Sequence, residues 1–212
     1  MSSSLFGGAI EVSFSESLVD VSKLREVPDN QEVFLRIQED VVDKQVLRQQ
    51  TILQSSLSLI IEILEFDTSG DNALLAIFQD IIEANDAIEF KVVSTTSLDI
   101  QSNIPKLAAN VFKQRLEGLE CFQLVGLQRV PSKSRTISGA VDFLLVLLTV
   151  IRLPSVGTDI AVTVNAPLRI ILPESTESLD FIENDAKTRH EAEQLMTSVL
   201  QNFQIKDWSL FL

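Results

Sequence analysis

His190 and Cys121 are the only imidazole and the only thiol in a chain of 212 residues, so the usual nucleophile and metal-ligand sets have little to draw on. One Cys and one His supply no zinc site, and no G-x-S-x-G elbow accompanies the serines. His190 shares the polar side of a helical period with Gln194, Thr197 and Gln201, which makes it a surface histidine. Cys121 follows Glu120 in a strand pattern and reads as a small core residue. Gly7-Gly8 has no lysine after it and is no phosphate loop. What remains is carboxylate chemistry. Asp29, Asn30, Gln31 and Glu32 crowd one short stretch, and Glu62 and Glu65 punctuate an otherwise apolar run. Carboxylates grouped in this way can engage the basic side chains of a partner. They call for no cofactor and no covalent step.

The acidic stretch is placed by a turn. In Arg25-Glu-Val-Pro-Asp-Asn-Gln-Glu-Val-Phe34, Pro28 presets φ, while Asp29 and Asn30 can hydrogen-bond the local backbone or tolerate left-handed geometry. The alternating segment Glu32 to Ile37 then forms a strand behind the turn. Ser55 to Phe66 is expected to be a helix. Gln54, Ser58, Glu62 and Glu65 recur at spacings of four, four and three, a single polar stripe, and Leu57, Leu59, Ile60, Ile61, Ile63 and Leu64 cover the rest. On such a helix Glu62 and Glu65 repel by a few tenths of a kcal/mol. The macrodipole disfavours Glu65 in the last turn by roughly 0.3–1 kcal/mol. These penalties hint at a task outside folding; the plainer reading is a solvated helix face.

Around these two places the pattern continues. Ile10, Val12 and Phe14 alternate in a half-buried strand, with Gly7-Gly8 before it suggesting a bulge or close approach. Glu39 to Gln50 reads as irregular or loosely helical. Asp71 is placed to cap a second helix whose Leu74, Ile77, Phe78, Ile81 and Ile82 make a core stripe. Ile88 to Leu98 is a strand, and Ile104 to Leu116 a helix with Pro105 in its first turn, ended by Gly118. Leu119 to Val130 and Ala140 to Leu153 are strands, the second apolar enough to be covered on both faces. A reversal at Pro154 to Thr158 pairs it with Asp159 to Asn165 in an antiparallel hairpin. Pro167 to Asn184 is a loop. Asp185 to Phe203 is a helix with Ala192, Leu195, Met196, Val199, Leu200 and Phe203 on its buried side, and Trp208 and Phe211 pack back on the body. The economical fold is one α+β domain over residues 1–212, a mostly antiparallel sheet with helices packed on it.

Composition narrows the partner. With 45% hydrophobic residues the chain can bury a large core, and its net charge of −13 repels a phosphate backbone, which argues against nucleic acid and for a basic protein. The single cysteine fits a reducing compartment. The N-terminal stretch lacks the basic and apolar regions of a secretory signal. The longest apolar run is too short for a bilayer and contains Asp142. A soluble intracellular protein is expected.

Leu5-Phe-Gly-Gly-Ala-Ile10 followed by Val19-Asp-Val-Ser-Lys-Leu-Arg-Glu-Val-Pro-Asp-Asn-Gln-Glu-Val-Phe34 resembles the N-terminal signature of the Mog-type family, the Ran guanine nucleotide release factors. The resemblance extends through Ser58-Leu-Ile-Ile-Glu-Ile-Leu-Glu65, read as the family's acidic helix, through Val150-Ile-Arg-Leu153 with Thr158-Asp-Ile-Ala-Val-Thr-Val-Asn-Ala-Pro-Leu168, and to Asp207-Trp-Ser-Leu-Phe211. Ser97 to Leu116 departs from the pattern, being longer and more helical. The resemblance implies a PsbP-like αβα sandwich around an antiparallel sheet. It also implies direct binding to the small GTPase Ran as a monomer, promoted nucleotide release without covalent catalysis, and a nuclear location with the cytoplasm as a second one. Carried over by position, the contact residues are Asp29, Gln31, Glu32, Glu62 and Glu65. The alternative is a module on the same sandwich that binds an apolar small molecule or a protein other than a GTPase.

Overall fold

The chain is described by a computed structural model over residues 2–14, 18–36, 57–68, 73–110, 118–131, 141–168, 179 and 186–211. Its strands are β1 (Ser2–Leu5), β2 (Ile10–Ser13), β3 (Val19–Asp20), β4 (Gln31–Leu35), β5 (Ser58–Glu65), β6 (Glu89–Ser97), β7 (Glu120–Pro131), β8 (Val141–Leu153), β9 (Thr158–Leu168) and β10 (Gln204–Ile205). The helices are α1 (Ala73–Ala84), α2 (Ile100–Asn103), α3 (Pro105–Asn110) and α4 (Ala186–Asn202).

The run Val141–Leu153 dictates the architecture, because a strand with apolar side chains on both sides has to be covered twice. As β8 it lies inside a seven-stranded antiparallel sheet of order β3-β4-β5-β9-β8-β7-β6. On one face Phe143, Leu145, Leu147 and Ile151 join Val162, Val164 and Ile160 of β9 beneath Leu195, Met196 and Val199 of α4. On the other, Leu144, Val146, Leu148 and Val150 meet Leu74, Ile77, Phe78 and Ile82 of α1. Helix, sheet and helix form the three layers. A three-stranded sheet, β1-β2-β10, packs Ile10 and Val12 into the α4 side. At the β4 end of the second face, Val21, Val33 and Leu35 form a satellite cluster with Val27 and Ile60.

Gly126 on β7 is fixed by close packing. A Cβ there would stand 2.7 Å from Cε2 of Phe78, well inside contact distance, and Phe78 is itself buried. Gly157 serves a different need, taking the left-handed conformation (φ 64°) that closes the β8–β9 reversal.

Ser58–Glu65 is a strand, which corrects the helix expected there. The polar spacing that suggested a helix arises because β5 is interior, between β4 and β9, and has apolar side chains on both faces. The period-2 signal is then lost, and a short run with five apolar residues in eight cannot be assigned by periodicity alone; its three isoleucines favour the strand. Gly7 and Gly8 correct a second detail, forming a tight turn between β1 and β2 in place of a bulge. The strands expected over Ile10–Phe14, Glu32–Ile37, Ile88–Leu98, Leu119–Val130, Ala140–Leu153 and Asp159–Asn165 lie where the sequence puts them, as do the helices of the Leu74–Ile82 stripe and of Asp185–Phe203. The helix expected from Ile104 is described over Pro105–Asn110. Strands β1, β3 and β10 and helix α2 were not foreseen, and β9 continues through Pro167 and Leu168, where a loop was expected. Asp71, Glu39 to Gln50, Val111 to Leu116 and nearly all of the Pro167 to Asn184 loop lie outside the described residues. Among the described residues no helix is long and apolar enough to cross a membrane.

Candidate functional site

The turn before β4 closes where the sequence places it, with the Gln31 N–H donating to Pro28 O at 2.9 Å and Asp29 exposed at its tip. Antiparallel pairing then brings Gln31 opposite Glu62 and Glu32 opposite Ile61. All five carboxylate and amide residues read from the sequence therefore meet at one end of the β4–β5 pair. Here Gln31 Nε2 donates to Glu62 Oε1 at 2.7 Å, and Asn30 Nδ2 reaches the same oxygen at 3.3 Å and Ile63 O at 3.2 Å. The Ile63 N–H donates to Asn30 O at 2.9 Å, locking the turn to the strand. Two amides thus orient the Glu62 carboxylate.

The five residues do not share one surface. Side chains alternate along a strand, so Glu62 and Gln31 project on the α1 side of the sheet while Glu65 and Glu32 project on the opposite side. This corrects the single polar stripe expected for Glu62 and Glu65. Neither a one-turn repulsion nor a helix macrodipole acts on them. Glu65 ends β5 with its side chain exposed. Glu32 is partly occupied, since its Oε1 accepts the Phe6 N–H at 2.6 Å and ties the rim to the N-terminal turn. The carboxylates wrap a sheet rim, with Asp29 at the apex.

Behind the rim stands a support that the sequence reading missed. Arg152 and Asp159, cross-strand partners in the β8–β9 hairpin, are both buried and paired, with Arg152 Nε 3.1 Å from Asp159 Oδ1. Asp159 Oδ2 accepts the Asp67 N–H at 3.1 Å, the Arg152 guanidinium donates to Asp67 O, and that guanidinium lies 4.3 Å over the Phe66 ring. A charge pair removed from water needs such additional hydrogen bonds to be tolerated. Here they anchor the backbone immediately after Glu65. A charged residue directly opposite another in two otherwise apolar strands was the available signal.

Burial pushes the Cys121 thiol up to about 12, so no thiolate forms near neutral pH. His190 is exposed on α4. Among the described residues no three His, Cys, Asp or Glu side chains are grouped to hold a metal ion.

Residues 3–167 match the family model for the Ran-interacting Mog1 protein. The chain belongs to the Mog1 family. Its relatives include the Ran guanine nucleotide release factor of Danio rerio, 30% identical over the full length of both chains. The probable ran guanine nucleotide release factor of Dictyostelium discoideum is 26% identical over 98% of this chain and 94% of its own. The nuclear import protein mog1 of Schizosaccharomyces pombe is 30% identical over 85% of this chain and 82% of its own. In structure, this Mog1-family chain is similar to the Saccharomyces cerevisiae Ran-binding protein Mog1p, with a TM-score of 0.66 at 22% identity over 100% of this chain and 98% of that one. That likeness bears out the antiparallel αβα fold.

Proposed function

We propose that this chain binds the small GTPase Ran and promotes release of its guanine nucleotide, in support of nuclear protein import. The reading treats residues 1–212 as one Ran-binding domain, acting as a monomer in the nucleus and the cytoplasm. Family membership and the names of the relatives support the partner. The observation that carries the reading is the carboxylate rim of β4–β5, in which Asn30 and Gln31 donate to Glu62 and fix its orientation. Asp29, Gln31, Glu32, Glu62 and Glu65 are the proposed contacts. Glu62, Glu65 and Asp29 lead, because Glu32 already accepts a backbone N–H and Gln31 is engaged with Glu62.

The work done is differential binding. A protein that prefers nucleotide-free Ran must weaken nucleotide binding by the same coupling free energy. No covalent step is required of it. Anionic side chains suit the task because what grips the nucleotide phosphates is cationic, a basic side chain or magnesium.

Release of a fluorescent guanine nucleotide from loaded Ran, with and without the chain, tests this. Release is expected to accelerate with the wild-type chain. The Glu62→Lys, Glu65→Lys double variant should stay folded, since both side chains sit at the rim outside the core, and should lose binding by more than about tenfold. A wild-type chain without effect on release would refute the function; a folded double variant with full activity would move the contact off this rim.

A further inference from the structure

Four large hydrophobic side chains stay exposed among the described residues, and they belong to one strip: Leu75 at 46%, Ile88 at 54%, Phe90 at 49% and Val92 at 36%. Strand β6, at the outer edge of the large sheet among the described residues, carries Phe90 and Val92, with Ile88 just before it. Register places Phe90 opposite Gln128 and Val92 opposite Gly126, so the strip faces the α1 side. Phe90 meets the edge of the buried Phe78 ring at 6.3 Å between centroids. Beside the far half of β6, an open groove of about 240 Å³ is lined by Leu74, Leu75, Thr95, Thr96, Ser97 and Phe122. An edge strand presents unpaired backbone donors and acceptors, and soluble proteins ordinarily protect such an edge from other chains. Here it is flanked by apolar surface.

We propose that β6 is a docking strand for an extended segment of a partner protein, apolar at alternate positions and cationic at its ends. The segment would add to the sheet as a further antiparallel or parallel strand, with main-chain hydrogen bonds supplying affinity and the strip receiving alternate side chains. The bulge between Val92 and Ser94 interrupts the regular ladder, so the straight stretch from Ile88 to Val92 is the anchor. Charge selects the occupant. Asp86 stands just before β6 and Asp99 just after it, both exposed. On α1, Gln79 and Glu83 follow Leu75 at four-residue spacing, hydrogen-bonded to each other at 3.3 Å, and border the strip with a further carboxylate. Lys91 is the one lysine on β6, while Glu89 is paired with Arg129 at 3.4 Å. A second copy would bring the same acids and another −13 of net charge, whereas lysines or arginines at the ends of a segment meet Asp86, Glu83 and Asp99. Four strand spacings of roughly 4.8 Å separate β6 from β5, so this surface is distinct from the Glu62 rim and does not rest on the Ran reading.

The probe is a nine-residue peptide with valine at alternate central positions, serine between them and two lysines at each end. Fluorescence anisotropy should show it binding the full chain, and a version ending in glutamates should bind at least tenfold more weakly. Amide hydrogen exchange of Ile88 to Val92 should slow when the lysine peptide is present. Phe90→Ser should lower the affinity at least tenfold, and Glu83→Lys at least threefold while leaving the melting temperature unchanged. If Phe90→Ser loosens the packing on Phe78 and lowers the melting temperature, Glu83→Lys decides alone. Equal binding of both peptides, no effect of Glu83→Lys, or protection appearing elsewhere would overturn the proposal. So would a dimer of the free chain that Phe90→Ser abolishes, because a second copy would then cover the strip.

Discussion

Three aspartates act as local staples, and each is tuned by the N–H and O–H groups it receives. Partial burial pushes the Asp20 carboxyl up, but the Ser22 hydroxyl and N–H, with the charge of Lys23, hold it below its ordinary value. The Ser102 hydroxyl and N–H lower Asp99 at the start of α2, and the Ser209 N–H and hydroxyl lower Asp207. A carboxyl whose folded value is depressed stabilises the fold above its unfolded value and loses that contribution as the pH falls through the folded one. Stability should therefore be level from neutral pH to about 5 and decline below about pH 4. The triple variant Asp20→Asn, Asp99→Asn, Asp207→Asn keeps hydrogen-bonding groups at these positions but cannot titrate. Chemical denaturation should find it close to wild type at pH 7 and less sensitive to acid, and equal acid sensitivity would show that these staples carry none of it. At this scale the sequence was informative wherever one side chain decided its own fate, as with buried Cys121 and exposed His190. It was silent on Asn30 and Gln31 as holders of Glu62, because that role depends on which strand pairs with β4.

Elements were legible where a period or a punctuating residue marked them. The hairpin of β8 and β9 follows from two apolar runs around Pro154 and Gly157, and α1 and α4 from their core stripes. Strand β5 was not, since apolar side chains on both faces erased the alternation that identifies a strand. Misassigning it folded Glu62 and Glu65 onto one stripe, although the same two residues still end at the rim. The packing of α1 on the sheet hangs on a detail that no pattern reveals, the absence of a side chain at Gly126. The Phe78 ring fills that space and is 2% exposed, so it has little room to retreat. Gly126→Ala is expected to cost about 1–3 kcal/mol through overpacking. Adding Phe78→Leu, a shorter side chain, should return part of that loss, so the two changes should be non-additive in a double-mutant cycle. Strict additivity would mean that Phe78 is not what excludes the Cβ.

The molecule as a whole carries −13 at neutral pH, and a field of that size acts on a basic partner before any contact forms. Global charge and the local rim can be told apart. The pair Glu62→Lys, Glu65→Lys changes the net charge by four units, and so does Asp80→Lys with Glu83→Lys on the exposed side of α1. Both should slow association with Ran at low salt if long-range steering operates. The slowing should fade as ionic strength approaches 1 M, where the Debye length falls to about 3 Å. Dissociation is the discriminating quantity, because it reports contacts and hardly feels the distant field. The rim pair should raise the off-rate by more than about tenfold, whereas the α1 pair should leave it within about twofold of wild type. Stopped-flow kinetics over a salt series gives both rates for all three chains. If the two variants lose affinity equally and only through the on-rate, the rim is one acidic patch among others. If the off-rate separates them, the carboxylates at the end of β4 and β5 make the contact themselves.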